Sequence, residues 1–323
     1  MKRKPVPSTV AVLLLPALLC LPACSVRKFA LNQVANALTG GSASTVFTGD
    51  NDPELVADAL PFAIKMYESL LAANPGHQGL RLQTGSLYIM YANAFLQTPA
   101  TMLPEEEYHE QEFAYKRAKN LYLRGRDIII AGLERKYPGF EQILHKRDQT
   151  TILERTNEKD LPLLYWAGAG WLGAYAIDPF DMDLGLTLPA AAALIERVHE
   201  LDPDYGGGVI HEFYILYYGS LPEYMGGSKE KAREHFEKAL AVSQGRSATP
   251  YLSLATAVTV KEQNVQEFKK LLHQALAIDP EKNPENRLLA ILNQRKTRWL
   301  LEHVDDYFLE SEEGAADAEE SVT

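Results

Sequence analysis

His211 and Glu212 begin the arrangement His-Glu-x-x-His, in which a zinc-hydrolase helix holds a metal with two imidazoles and a general base between them, but residue 215 is Ile. Without a second imidazole one turn on, the pair cannot share a cation. Asp181-Met-Asp183-Leu-Gly185 has the oxygen-rich look of a calcium loop, yet its glycine comes too early and Ala192 stands where a bidentate glutamate would close the site. Like Asp202-Pro-Asp204, this run reads as a solvated turn. No glycine-rich phosphate loop follows a strand, because no convincing alternating strand is present. The sequence therefore offers no catalytic set, no metal site and no cofactor motif. Its remaining chemistry is aromatic. On a helix over 207–219, His211, Tyr214, Ile215 and Tyr218 share one face at steps of three and four. Trp166 and Trp171 diverge by about 140° on their own helix, so both are buried only if that helix is enclosed. Two readings stand for Trp166, Trp171, His211, Tyr214 and Tyr218: ordinary core between helices, or the border of a pocket or channel for an apolar or amphipathic ligand.

A different chemistry is written at the start. Lys2, Arg3 and Lys4 precede about a dozen apolar residues, and the small Ala23 precedes Cys24, the pattern of a cleaved export signal over 1–23. Leu21-Pro22-Ala23-Cys24 resembles the bacterial lipobox, whose cysteine is acylated and becomes the new N-terminus. Cys20 lacks the small residue before it. Acyl chains contribute about 0.8 kcal/mol per buried methylene, enough when several are present to hold a domain on a membrane. Ser25, where an Asp would retain a lipoprotein at the inner membrane, implies passage to the outer membrane, on its periplasmic side.

Charge and cysteine content narrow the partners. The chain carries 43 acids against 32 bases, a formal net charge of −11. Cleavage after Ala23 removes three of those bases and no acid, which argues against a nucleic-acid surface. With Cys20 removed and Cys24 acylated, neither of the 2 cysteines leaves a free thiol, so the fold must hold by packing alone.

Helices are expected almost throughout, with no strands. Asp52-Pro53-Glu54 is a helix start, an acidic cap with proline in the first turn, running to Asn74-Pro75-Gly76 with a kink near Pro61. Further helices are expected over 78–96, 105–136, 162–176, 188–200, 207–219, 228–243, 249–262, 264–277 and 284–308, with shorter ones over 139–156. A small residue, a large apolar one four later and an apolar one three beyond recur as Ala63, Tyr67, Leu70; Ala191, Ile195, Val198; and Ala232, Phe236, Ala239. Phe268, Leu272 and Ala275 follow the same spacing with a larger first residue. These sets resemble the second helix of tetratricopeptide repeats, at irregular spacing. An all-α tetratricopeptide-like solenoid or bundle with extra helices follows; an amphipathic bundle without true repeats is the alternative. Residues 24–51 form the anchored N-terminal segment, of which 39–51 read as a mobile linker. The helical body occupies 52–309, and 310–323, with six acids and no base, form a disordered tail.

Over roughly residues 24–309 the chain resembles one family, the T component of the tripartite ATP-independent periplasmic (TRAP) transporters. The resemblance is carried by Tyr165-Trp-Ala-Gly-Ala-Gly-Trp171, His211-Glu-Phe-Tyr214, Tyr218-Gly-Ser-Leu-Pro222, the run from Gly226 to Leu240, Phe268-Lys-Lys-Leu-Leu272 and the run from Leu289 to Leu301. It implies a lipid-anchored periplasmic helical-repeat protein that self-associates as a homotrimer and binds the transporter's solute-binding protein. It also implies a hydrophobic channel, and hence an apolar ligand. A helical-repeat lipoprotein assisting outer-membrane or cell-wall assembly is the alternative from another class.

Overall fold

The computed structural model describes residues 29–146 and 149–309, and these are helical with no strand among them. The export signal, Cys24 and the acidic tail lie outside the described residues. A helix over 29–39 (α1) is followed by Gly41–Thr48 (α2), Pro53–Ala73 (α3), Gln78–Ala92 (α4) and the long Tyr108–Lys136 (α5). Then come Leu161–Ile177 (α6), Met182–Leu201 (α7), Tyr205–Ser220 (α8), Lys229–Ser243 (α9), Thr249–Leu254 (α10), Val265–Leu276 (α11) and Arg287–Glu302 (α12).

The starts follow local chemistry. Asp52 accepts a hydrogen bond from the backbone N–H of Leu55 at 3.0 Å, with Pro53 at the first helical position, and α3 continues through Pro61. Ser228 and Asn264 cap α9 and α11 in the same way. Asp181 caps α7 by accepting from the N–H groups of Asp183 and Leu184, and its other oxygen takes the Lys119 ammonium at 2.6 Å. The acidic run that resembles a calcium loop is thus a helix cap locked to α5 by an ion pair.

Several boundaries differ from the sequence reading. Residues 39–51, expected as a linker, contain helix α2; Phe47 packs against the core that α3 and α12 share, and this tertiary contact overrides the weak propensity of a Gly-Ser-Thr stretch. The helix expected to start at 188 begins at Met182, because the Asp181 cap supplies a start ahead of Pro189. The last helix ends at Glu302, and Val304–Asp306 is a separate 3₁₀ turn. The expected helices over 78–96 and 249–262 widen into π-helical turns at Asn93–Gln97 and Ala255–Thr259.

Successive helices pack side by side, α4 on α5, α5 on α6, α6 on α7 and α8 on α9. Close approach is built into α4 and α5: a Cβ at Gly125 would stand 2.6 Å from the carbonyl oxygen of Gly85. The repeated positions face inward. Ala191, Ile195, Val198, Ala232, Phe268, Leu272 and Ala275 are fully buried, and Ala63, Tyr67, Phe236 and Ala239 nearly so. Three apolar clusters result: one from α4 to α8, one from α8 to α12, and one in which Leu288 of α12 joins Val56, Leu60 and Ile64 of α3. Across this third cluster Arg295 makes a two-pronged ion pair with Glu54, at 2.5 and 3.1 Å, so the last long helix returns to the first.

Candidate functional site

Helix α8 departs from ideal geometry at its start. Gly206, Gly207 and Gly208 all have positive φ, between 63° and 104°, so the regular turns begin at Val209. That entry sets the rotation of the helix, and three of the aromatic residues singled out in the sequence, His211, Tyr214 and Tyr218, come to face α7 and α9 together.

There they meet two histidines that spacing on one helix could not reveal, His199 at the end of α7 and His235 on α9. The Nδ1 atoms of His211 and His235 lie 3.1 Å apart, one ring donating and the other accepting. His199 crosses His211 edge-on at 5.6 Å and Tyr214 at 5.5 Å. Tyr214 stacks on Tyr218 at 5.6 Å, and His235 lies 4.7 Å from the first ring and 5.7 Å from the second. The Lys231 ammonium sits over the Tyr218 ring at 5.1 Å.

Burial sets the charge of this seam. It pushes His211 below the usual imidazole range, helped by His199 and Lys238 and opposed by Asp204. His235 falls further, to about 4, by burial and then by the nearby His211. Both rings are therefore mainly neutral at pH 7, so the Nδ1–Nδ1 hydrogen bond joins two opposite tautomers. Burial likewise raises the hydroxyls of Tyr214 and Tyr217. The seam opens to a cleft of about 380 Å³ lined by His199, Asp204, His211 and Lys238, and the Nδ1 of His199 is buried without a hydrogen-bond partner. Among the described residues no group of three or more His, Cys, Asp and Glu could hold a metal ion. The neutral imidazoles of His211 and His235 with the aromatic faces beside them are suited to a flat or amphipathic ligand.

The two tryptophans go elsewhere. Trp171 is only 2% exposed; its Nε1–H donates to Thr187 Oγ1 at 3.0 Å and Arg126 covers its ring at 4.7 Å. It packs between α5, α6 and α7. Trp166 is half-buried and edge-on to Tyr165 at 5.4 Å, which in turn meets Tyr205 at 5.6 Å.

Glu212, beside His211 but on another face, holds a second polar group. Ser247 donates to its Oε1 at 2.7 Å, and burial pushes the carboxyl up to about 7, with the serine working the other way. Tyr165, under the field of Glu212, and Tyr205, pushed up to about 12, are raised mainly by burial. Glu212 and Tyr165 are both half-buried.

On the outside, α9, α10 and α11 form a groove of about 610 Å³. Its floor holds Phe236, Tyr251 and Leu271, and its rim Glu230, Glu237 and Glu267. Arg233 bridges the rim, pairing with Glu267 at 2.6 Å and Glu262 at 2.7 Å.

Comparison with known proteins agrees with this architecture. The model of one family, described as TRAP transporter T-component, matches residues 49–308. An uncharacterized protein of Treponema pallidum (strain Nichols) is 39% identical over 313 residues, covering 91% of this chain and 95% of the relative.

Proposed function

We propose a function that starts from one premise: the chain belongs to the TRAP transporter T-component family. Membership gives it a role in a TRAP-type transport system. Within that role we assign it the part of a lipid-anchored periplasmic scaffold, tethered through Cys24 to the outer membrane, self-associating as a homotrimer, docking the solute-binding subunit and taking an apolar or amphipathic ligand. The observation that carries this reading is the family match across the whole helical body, residues 49–308. Among the described residues no helix is long and apolar enough to cross a membrane, so membrane attachment in this reading falls to the acylated cysteine.

The repeat architecture supports a docking role, because stacked helix pairs create concave surfaces. The groove of α9–α11 is the docking surface of this reading: an apolar floor supplies anchors, and a rim rich in carboxylates selects a basic partner surface. The test is capture from periplasmic extract with residues 25–323 as bait, read by mass spectrometry. Recovery of a solute-binding protein, lost when Glu230 and Glu237 are both changed to Lys, is the expected result. Recovery of envelope-assembly factors, or of the bait alone, overturns the docking role.

A further inference from the structure

The first described helix carries no charged residue. From Phe29 to Thr39, α1 reads Phe-Ala-Leu-Asn-Gln-Val-Ala-Asn-Ala-Leu-Thr. Its inner side is seated on the hairpin of α3 and α4: Ala35 is 1% exposed in their shared cluster, the Tyr67 hydroxyl donates to the Leu38 carbonyl at 2.8 Å, and Asn36 hydrogen-bonds to His77 at 2.9 Å. The opposite side, at steps of three and four, presents Phe29, Ala30, Gln33, Val34 and Ala37, and all five are exposed. Phe29 is 64% open and Val34 48%. A helix face that stays in water is expected to carry charges, and this one has none.

The position of α1 fixes what covers that face. Only Ser25, Val26, Arg27 and Lys28 separate it from Cys24, a stretch that spans at most about 18 Å. An acylated Cys24 holds α1 within that reach of a bilayer. The surroundings of α1 are basic although the chain is acidic. Arg81, in the first turn of α4, donates to the Pro75 carbonyl at 2.9 Å, and Arg135 ends α5 beside Gly76. Neither guanidinium has a carboxylate partner among the described residues. Glu134 is engaged by the backbone N–H groups of Gly139 and Glu141, and Asp160 by the Lys136 ammonium. The other end of α5 has the opposite sign. Glu105, Glu106, Glu107, Glu110 and Glu112 stand exposed around its start with no Lys or Arg among them, and its 29 residues put them about 43 Å away. An anionic surface attracts the first end and repels the second.

We propose that the outer face of α1 lies in the interface of a bilayer containing anionic phospholipid, with Arg81 and Arg135 among the headgroup phosphates, so that the body stands on the membrane by its α3–α4 end. The inference rests on the anchoring through Cys24 proposed above and adds a second contact, which turns a tether into a fixed orientation. Modest apolar and electrostatic attraction is enough, because so short a tether keeps the face at high local concentration beside the surface.

Residues 24–323 contain Cys24 as their single cysteine, so it couples selectively to a maleimide lipid in vesicles. Amide hydrogen exchange, read by peptide mass spectrometry, compares this protein on vesicles of equal phosphatidylglycerol and phosphatidylcholine with the same protein coupled to a soluble maleimide. Exchange over 29–39 and 74–79 is expected to slow about tenfold on the vesicles, with 105–112 unchanged. Phe29→Ser combined with Val34→Ser changes only exposed side chains and is expected to remove the protection while the protein stays coupled; circular dichroism establishes that the variant is folded. Equal exchange over 29–39 on and off the vesicles overturns the surface contact and leaves the anchoring standing. Slowing at 105–112 as large as at 29–39 overturns the orientation. Acylation is read separately, from the mass of the N-terminal peptide of the chain extracted from membranes, and an unmodified Cys24 overturns the anchoring and with it the place of α1 at the bilayer.

Discussion

The pair His211–His235 fixes how the protein responds to acid. Both imidazoles are held below the ordinary value of 6.5, His235 to about 4, so the unfolded chain binds protons before the folded one does. Their contribution to stability is complete above pH 6.5 and is lost as pH falls toward 4. Lys238 adds to that loss, and Glu234 and Asp204 oppose it. The thermal midpoint is expected to drop over this window, and His235→Gln, which cannot take up a proton there, to flatten the drop; calorimetry at half-unit pH steps measures it. Glu212 works with the opposite sign. Its carboxyl is raised from 4.5 to about 7, so the cost of burying its charge grows from pH 4.5 and is complete above 7. Glu212→Gln is expected to stabilise the protein by ~3 kcal/mol at pH 8 and by nothing below pH 4.5, as read by denaturant unfolding. Helical spacing in the sequence was enough to put His211, Tyr214 and Tyr218 on one face. It could not supply His199 and His235, whose positions on α7 and α9 are meaningful only once those helices lie against α8. Trp171 marks the complementary limit: a helix apolar on all sides does not say which neighbours cover its large residues, here Thr187 and Arg126.

Helix starts were the most legible elements because a cap is a local event: Asp52 and Asn264 each satisfy an N–H three residues on, whatever lies beyond. The π-helical turns of 93–97 and 255–259 were not legible, since widening a turn by one residue leaves the apolar pattern nearly intact. Helix α2 was missed because its stability comes from Phe47 in a distant core and not from its own composition. Glycine separates local from tertiary effects in the same way. At Gly125 an added methyl group meets backbone, the Gly85 carbonyl oxygen at 2.6 Å, and two helices must part. Gly125→Ala is expected to destabilise by about 1–3 kcal/mol. Gly185, on the exposed first turn of α7, has nothing within 4 Å of such a group. Gly185→Ala is expected to stabilise by about 0.5–1 kcal/mol, because only the helical preference of the residue changes. Urea unfolding of the two variants side by side tests both signs.

The closure of α12 onto α3 belongs to the whole molecule, and no periodicity in the sequence could announce it, because it pairs Glu54 with Arg295 and Leu288 with Leu60 across most of the chain. Two kinds of contact hold it, and their magnitudes decide which one matters. The ion pair is well formed but exposed, with 69% of the Glu54 side chain and 43% of the Arg295 side chain open to solvent, and such pairs gain little over hydration. Leu288 is 3% exposed, and its removal leaves a cavity that the surrounding Val56, Leu60 and Ile64 cannot fully fill. Leu288→Ala is therefore expected to cost about 2–5 kcal/mol in denaturant unfolding, whereas Glu54→Gln leaves the midpoint nearly unmoved. If apolar burial holds the closure, Leu288→Ala speeds native-state amide exchange along α12 and Glu54→Gln does not. The reverse order would mean that the ion pair, and not the apolar stripe, keeps the chain's end against its beginning.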